Sequence, residues 1–335
     1  MFINDVIGQD KAKRLLRQAT AHQRLSHAYL FRGPSGVGRK TLARAFGVYL
    51  NCLAPTPDQD GCGQCRSCRK FASSNHPDLL TIEPDGAGIK INQIRELKHQ
   101  LGFPPFESTW RVVLITDVNT MRREAANSLL KTLEEPPPHN LLILIGDEGS
   151  TILPTITSRC QIIPCRGLPQ QLVAEKLRRE DNIPPEMAAT LAAITGGSPG
   201  QARIMAAGGL LGVRRNLITT LLPLKTEHPE TPGIIFELAE RCAALKDDLP
   251  DLLDLVKIWF HELDLAAKGV GDRLLSHDLL DQMEAGCHRW IGHGYPARLR
   301  LLEEAKKQLA RNCNRALVCE VLFFNLLDET GRSAS

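Results

Sequence analysis

Residues 33 to 41 read Gly-Pro-Ser-Gly-Val-Gly-Arg-Lys-Thr, and no other stretch of the chain constrains its fold as tightly. A phosphate-binding loop follows the pattern G-x-x-x-x-G-K-[ST]. Its glycines let backbone N–H groups surround phosphates, its Lys reaches the outer phosphates, and its hydroxyl ligates Mg²⁺. Gly33 and Gly38 fit that frame, with Gly36 between them, but Arg39 stands at the Lys position and Lys40 at the hydroxyl position. Shifting the frame by one residue to use Lys40 and Thr41 places Pro34 and Arg39 where glycines belong. Arg for Lys exchanges a compact ammonium for a broad planar fork. Lys40 is the larger departure. Held about 4 Å from a divalent ion at an effective dielectric near 20, it is repelled by roughly twice the ~4 kcal/mol of two unit charges. The glycines thus predict strand, loop and helix in that order. The side chains predict a degenerate nucleotide site at Gly33, Gly36, Gly38, Arg39, Lys40 and Thr41, at which ATP with Mg²⁺ is not hydrolysed.

The flanking sequence supplies the elements such a loop needs. Ala28-Tyr29-Leu30-Phe31 is a short apolar run ending at the loop, and Leu42-Ala43-Arg44-Ala45-Phe46 continues with helical spacing. Comparable runs occur at Leu79–Ile82, Val112–Ile115 and Leu141–Ile145, separated by helix-compatible sequence. A buried helix competes with a strand for any one of them. Their repeated alternation with helical segments argues for a mainly parallel sheet covered by helices. In a P-loop ATPase the strand at Val112–Ile115 ends in the carboxylates that hold Mg²⁺ and orient water. Here Thr116-Asp117 follows it, so Thr116 takes the place of an Asp and Asp117 is one carbon shorter than the expected Glu. Asp117 read alone is also an ordinary strand-end turn residue.

Four of the ten cysteines crowd between residues 52 and 68, with nine residues from Cys52 to Cys62 and two each from Cys62 to Cys65 and from Cys65 to Cys68. The short spacings let thiolates converge on one ion, and Zn²⁺ closes a tetrahedral site with four of them at about 2.3 Å. An iron–sulfur cluster is the rival, although Cys68 is followed by Arg-Lys-Phe-Ala and lacks the usual ferredoxin continuation. Cysteines without metal are the third reading. A filled four-thiolate site leaves no position for catalysis, so the expected metal is a structural zinc that pins an insertion with little core of its own. A secreted disulfide framework is disfavoured because the N-terminus, MFINDVIGQD, carries no signal pattern. No apolar stretch approaches the roughly 18 residues that span a bilayer. A cytoplasmic location without membrane contact is expected. At 335 residues the chain has room for two or three domains, and a net charge of +3 excludes a strongly basic nucleic-acid binder.

Residues 125 to 137 read Ala-Ala-Asn-Ser-Leu-Leu-Lys-Thr-Leu-Glu-Glu-Pro-Pro, and Leu153-Pro154-Thr155-Ile156-Thr157-Ser158-Arg159-Cys160 follows the next apolar run. Together with Val6-Ile7-Gly8-Gln9 and the four-cysteine insertion, this resembles the ATPase domain of the bacterial DNA polymerase III clamp-loader subunits, an AAA+ family. The resemblance implies a helix beside the nucleotide site at Leu129–Pro137 and an arginine finger at Arg159. Such a guanidinium stabilises charge on a phosphoryl group in a neighbouring subunit. A surface ion-pair arginine is the plainer reading of Arg159. Within the family, the loop cation, the strand-end carboxylates, Gly200 in place of a sensing Arg, and the Gly146-Asp147 strand end without a preceding hydroxyl resemble the delta-prime type, a stator, and not the motor subunits.

The resemblance orders the chain as an α/β AAA+ P-loop domain over residues 1–166 with a zinc-binding insertion at about 52–68, a small helical lid over 167–208, and an all-α collar over 209–335. From the residues themselves, Gly167-Leu168-Pro169 reads as a hinge, and the runs Leu252–Phe260 and Leu301–Leu327 carry helical periodicity. Trp259, Phe260 and Trp290 read as core or subunit-interface residues ahead of a base-stacking platform. The implied function is a non-hydrolysing clamp-loader subunit in a hetero-oligomer with motor and delta-type subunits, meeting the sliding clamp and primed DNA through the assembly. Two alternatives remain at this level. One is an active ATPase in which Arg39, Lys40 and Asp117 suffice, and the other is a zinc-dependent DNA-binding module using Arg66, Arg69 and Lys70.

Overall fold

The apolar runs described above assemble into one sheet in the computed structural model, which describes residues 2–86, 88–147, 152–269, 274–290 and 295–327. In chain order the first compact unit holds α1 (Asp10–Ala21), β1 (Ala28–Gly33), α2 (Arg39–Leu50), α3 (Arg66–Ala72), β2 (Leu79–Ile82) and α4 (Ile91–Leu101). It continues through β3 (Arg111–Ile115), α5 (Arg123–Glu134), β4 (Asn140–Asp147), α6 (Pro154–Thr157) and β5 (Gln161–Pro164). The strands lie in the order β2-β3-β4-β1-β5 and pair in parallel throughout. Parallel strands joined by crossover helices are buried on both faces, which is why they read as unbroken apolar runs.

Alternation along each strand divides the core into two layers. Tyr29, Phe31, Val112, Leu114, Leu141, Ile143 and Ile145 pack with α1 and α2 through Leu16, Leu42 and Phe46. Leu30, Val113, Ile115, Leu142 and Leu144 pack on the other side with α4 and α5 through Ile94, Leu97, Ala126, Leu129 and Leu133. Helix α5 buries Ala125, Ala126, Leu129, Thr132 and Leu133, a stripe at helical spacing, and stops before three prolines, Pro136 to Pro138. Proline lacks the N–H and disfavours helical backbone in the residue before it, so the helix cannot continue. β5 lies at the sheet edge beside β1, with Gln161 and Ile162 exposed.

The first unit comprises Met1–Pro169 together with Gly197–Gly200, and the second comprises Gln170–Gly196 with Gln201–Ser335. The second is helical among its described residues. It contains α7 (Gln170–Glu180), α8 (Pro185–Ile194), most of α9 (Pro199–Ala207), α10 (Leu210–Leu221) and α11 (Thr231–Ala243). Further along come α12 (Leu249–Ala267), α13 (Met283–Trp290), α14 (Tyr295–Ala310) and α15 (Arg315–Leu327). Trp259, Phe260 and Trp290 are buried in it, the last two with ring centroids 5.2 Å apart, so they serve its core. Arg214, also buried, pairs with Asp278 at 2.5 Å. No helix among the described residues is long and apolar enough to cross a membrane.

Candidate functional site

Parallel register brings the chemistry of the glycine loop into place. Gly33 at the end of β1 stands opposite Asp147 at the end of β4, at the carboxyl edge of the sheet where α/β proteins bind ligands. Between Gly33 and α2 the backbone turns through left-handed values at Gly36 (φ 75°) and Gly38 (φ 96°), a region that costs a side-chain-bearing residue strain. A Cβ on Gly33 would lie 2.1 Å from the Cys165 carbonyl oxygen, so that glycine is required for packing as well. Gln9 Nε2 donates to the Val37 carbonyl at 3.1 Å and to the Arg166 carbonyl at 2.7 Å, tying the loop to the N-terminal segment and the chain after β5.

The side chains of the loop are engaged elsewhere. Arg39 is buried; its Nη1 donates to the Gly146 carbonyl and its Nη2 pairs with Asp147 Oδ1 at 2.5 Å. Lys40 is exposed and pairs with Glu83, just beyond β2. It lines a cleft of about 530 Å³ with Arg44, Thr81, Glu83, Asp85 and Gln93. Thr41 is half-buried at the start of α2, and Thr116 is buried. Asp117 is exposed, in left-handed backbone (φ 50°), heading a single turn of 3-10 helix over Val118–Thr120. Arg39, Lys40 and Asp117 therefore occupy three different surroundings. Asp147 and Glu83, which neutralise the two loop cations, were not legible as site residues. Asp147 had drawn attention only for the residue before it, and Glu83 belongs to no motif.

The segment Gly197–Gly200 lies directly on the loop. Ser198 Oγ donates to the Ser35 carbonyl at 2.7 Å, and the Gly200 N–H donates to the Gly36 carbonyl at 3.0 Å. A Cβ on Gly200 would stand 2.7 Å from Gly36 Cα and 2.9 Å from its carbonyl oxygen, so only glycine allows this approach. Gly197, at φ 80°, accepts from the Leu168 N–H at 2.7 Å and completes the closure.

At the other end of α2 the four cysteines converge. Cys52 follows the helix, Cys62 lies in the next loop, Cys65 caps α3 and Cys68 sits in its first turn. All four Sγ atoms lie within 4.8 Å of one another, and a group so arranged could hold a metal ion. A tetrahedral ion with sulfur at about 2.3 Å needs sulfurs roughly 3.8 Å apart, so the donor set fits with a small contraction. Backbone N–H groups already point at the sulfurs: Cys62 to Cys52 Sγ at 3.2 Å, and Cys65 to Cys62 Sγ and Cys68 to Cys65 Sγ at 3.4 Å. Burial pushes the Cys65 thiol up, but the N–H groups of Cys68 and Leu53 with the neighbouring thiols outweigh it and bring Cys65 down to about 6. The N–H groups of Cys65 and Gln64 lower Cys62. Burial raises Cys52 and Cys68, and bound metal would draw their protons off. Phe2, Val48 and Phe71 pack around the cluster.

Arg159, just past α6, has a side chain one-third exposed. Its Nε donates to Glu134 Oε1 at 2.8 Å and its Nη2 to the same oxygen. Its Nη1 donates to the Thr155 carbonyl at 3.0 Å and to Ser158 Oγ at 3.2 Å. Cys160, the next residue, is raised to about 12 by burial.

A five-stranded parallel sheet in this order, with a glycine-bent loop between its first strand and the following helix, defines an AAA+-like α/β domain accompanied by helical segments. Residues 8–168 match the family described as "DNA polymerase III, delta subunit". Across 317 residues the chain is 33% identical to DNA polymerase III subunit delta' of Pseudomonas aeruginosa, covering 89% of this chain and 90% of that one. It is 37% identical over 187 residues to subunit delta' of Bacillus subtilis, 56% of each chain. Over 175 residues it is 33% identical to subunit tau of the same organism, covering 52% of this chain and 31% of that one. Thus the matched region spans little more than half of one Bacillus relative and about a third of the other. The chain belongs to the clamp-loader family of DNA polymerase III subunits, and its likeness to the Pseudomonas delta' subunit extends over most of both chains.

Proposed function

We propose that this protein is a delta-prime-type, stator subunit of a replicative clamp loader: it assembles with motor and delta-type subunits, hydrolyses no ATP itself and offers Arg159 to a neighbour's nucleotide. The carrying observation is the burial of Arg39, the residue at the loop's Lys position, against Gly146 and Asp147, with Lys40 paired at the surface to Glu83. Arg159 meanwhile remains at the surface. A nucleotide that recruited Arg39 would have to break its pair with Asp147, and the loop carbonyls of Ser35 and Gly36 are already tied to Ser198 and Gly200. The metal ligand and general base expected at the end of β3 are replaced by a buried Thr116 and a turn-forming Asp117. In this reading Cys52, Cys62, Cys65 and Cys68 hold a structural zinc, which would supply cross-linking of the insertion and no chemistry. Residues 1–166, 167–208 and 209–335 act as AAA+ domain, lid and collar, and the protein works in the cytoplasm on primed DNA and the sliding clamp through the assembly.

The test is Arg159→Ala in the reconstituted complex. Arginine fingers supplied in trans contribute about 10³- to 10⁵-fold at one phosphoryl-transfer site. With several motor sites contributing to turnover, the expected result is a partial loss of DNA-stimulated hydrolysis and a larger loss of clamp loading, with assembly intact. Arg159→Lys keeps the charge without the fork and should stay impaired. Loading at the wild-type rate by the Arg159→Ala complex would refute the trans-acting role.

A further inference from the structure

We propose that Glu134 is the positioning residue for Arg159, an inference that rests on Arg159 acting on a neighbouring subunit's nucleotide. Two edges of the guanidinium are fixed: the Nε edge by Glu134 Oε1 at 2.8 Å, and Nη1 by the Thr155 carbonyl at 3.0 Å and Ser158 Oγ at 3.2 Å. A guanidinium has five N–H donors, and these contacts together with Nη2 to Glu134 engage four of them. One Nη2 N–H remains to meet an anion. The side chain is thus held with its plane set, while its exposure of 32% leaves it accessible.

Helix stability does not account for a carboxylate at this place. Glu134 is the last residue of α5, where the helix dipole favours a cation and opposes an anion. Nor does the net energy of the pair, since Glu134 is 49% exposed and ion pairs in such surroundings contribute little to folding. What Glu134 changes is the freedom of a long side chain. Restricting Arg159 beforehand lowers the entropy lost when it engages a phosphate, and the gain falls on the step in which it is used. Because α5 and α6 are both anchored in the core layer beneath, through Leu129, Leu133 and Ile156, the restraint is referred to rigid structure.

The experiment measures ATP turnover at saturating clamp and DNA by the complex reconstituted with its motor subunits, for Glu134→Ala, Glu134→Gln and Arg159→Ala and for the Glu134→Ala/Arg159→Ala double variant. Assembly is checked by gel filtration. Glu134→Ala is expected to lower turnover at the motor site that Arg159 serves roughly 2- to 5-fold, the factor matching an exposed ion pair, and the kcat of the whole complex by no more than Arg159→Ala does, with KM for ATP unchanged. Glu134→Gln, whose amide oxygen still accepts from Nε, should recover most of it. Glu134→Ala should have no further effect when Arg159 is already Ala, whereas a merely structural Glu134 would lower turnover equally in both backgrounds. An unchanged or raised kcat for Glu134→Ala beside an impaired Arg159→Ala would overturn the positioning role and leave the trans-acting reading standing. A wild-type rate for Arg159→Ala itself would remove that reading first.

Discussion

The two ends of helix α2 make opposite use of what the sequence places there. At its N-terminus the backbone has the form of a phosphate site, with glycines at each left-handed turn, yet the cations of the loop are bound to Gly146, Asp147 and Glu83 and a glycine segment is hydrogen-bonded to the loop carbonyls. At its C-terminus the backbone is an irregular loop, but four sulfurs stand within 4.8 Å of one another with N–H groups directed at them. Backbone shape preserves a fold; the donor atoms and their existing partners decide whether a site can take its ligand. In the proposed reading, an ordered loop whose charges are already paired serves as a structural joint, whereas the four thiols are placed so that they could hold a metal ion.

The largest effect is expected at the cysteine end. Structural zinc in small domains contributes about 10–16 kcal/mol of apparent binding free energy. Cys68→Ser should therefore abolish stoichiometric zinc and expose residues 52–72 to proteolysis and rapid amide exchange, while the sheet, which lies outside the insertion, stays protected. Metal analysis with hydrogen exchange checks both halves. Stoichiometric iron instead of zinc, or equal protection with and without metal, would break the comparison.

At the loop end, Asp147→Ala leaves buried Arg39 with the Gly146 carbonyl alone. Removing one partner of a fully buried pair costs about 3–5 kcal/mol. Asp147 is about a third exposed, and water can replace part of the interaction, so a loss nearer 1–3 kcal/mol is expected in urea unfolding. Gly200→Ala probes the closure over the same loop. The added Cβ must push the segment off Gly36, at a cost of about 1–3 kcal/mol for an overpacked contact. An unaltered unfolding midpoint in either variant would show that the loop is not held as described. Lys40→Thr should matter least, at about 0–1 kcal/mol, because Lys40 and Glu83 are both half exposed. Restoring the hydroxyl in this way should not restore hydrolysis, since Arg39, Thr116 and Asp117 remain.

Much of this contrast was legible in the residues themselves, for reasons that differ by region. Four strands announced themselves because burial on both faces demands unbroken apolar runs. β5, at Gln161–Pro164, was quieter because it is short and carries an exposed edge. The cysteine cluster was visible because its ligands are close in sequence. Arg39 and Lys40 were visible as departures from a pattern, but their destinations were not. Asp147 reaches the loop only through the parallel pairing that sets it opposite Gly33, 108 residues separating it from Arg39. Glu83 arrives through a crossover that no local spacing encodes. Ser198 and Gly200 could be named from their motif, yet only the folded chain brings them within hydrogen-bonding distance of Ser35 and Gly36.

The central claim is that the phosphate loop has its charges satisfied from within. Calorimetric titration of Mg-ATP into the isolated, zinc-loaded chain tests it most directly. The account predicts no saturable heat, because Arg39 and Lys40 are already paired and Gly197–Gly200 is hydrogen-bonded to the loop at Ser35 and Gly36. Saturable binding at one site per chain, lost in a Gly38→Val variant that remains folded, would contradict it.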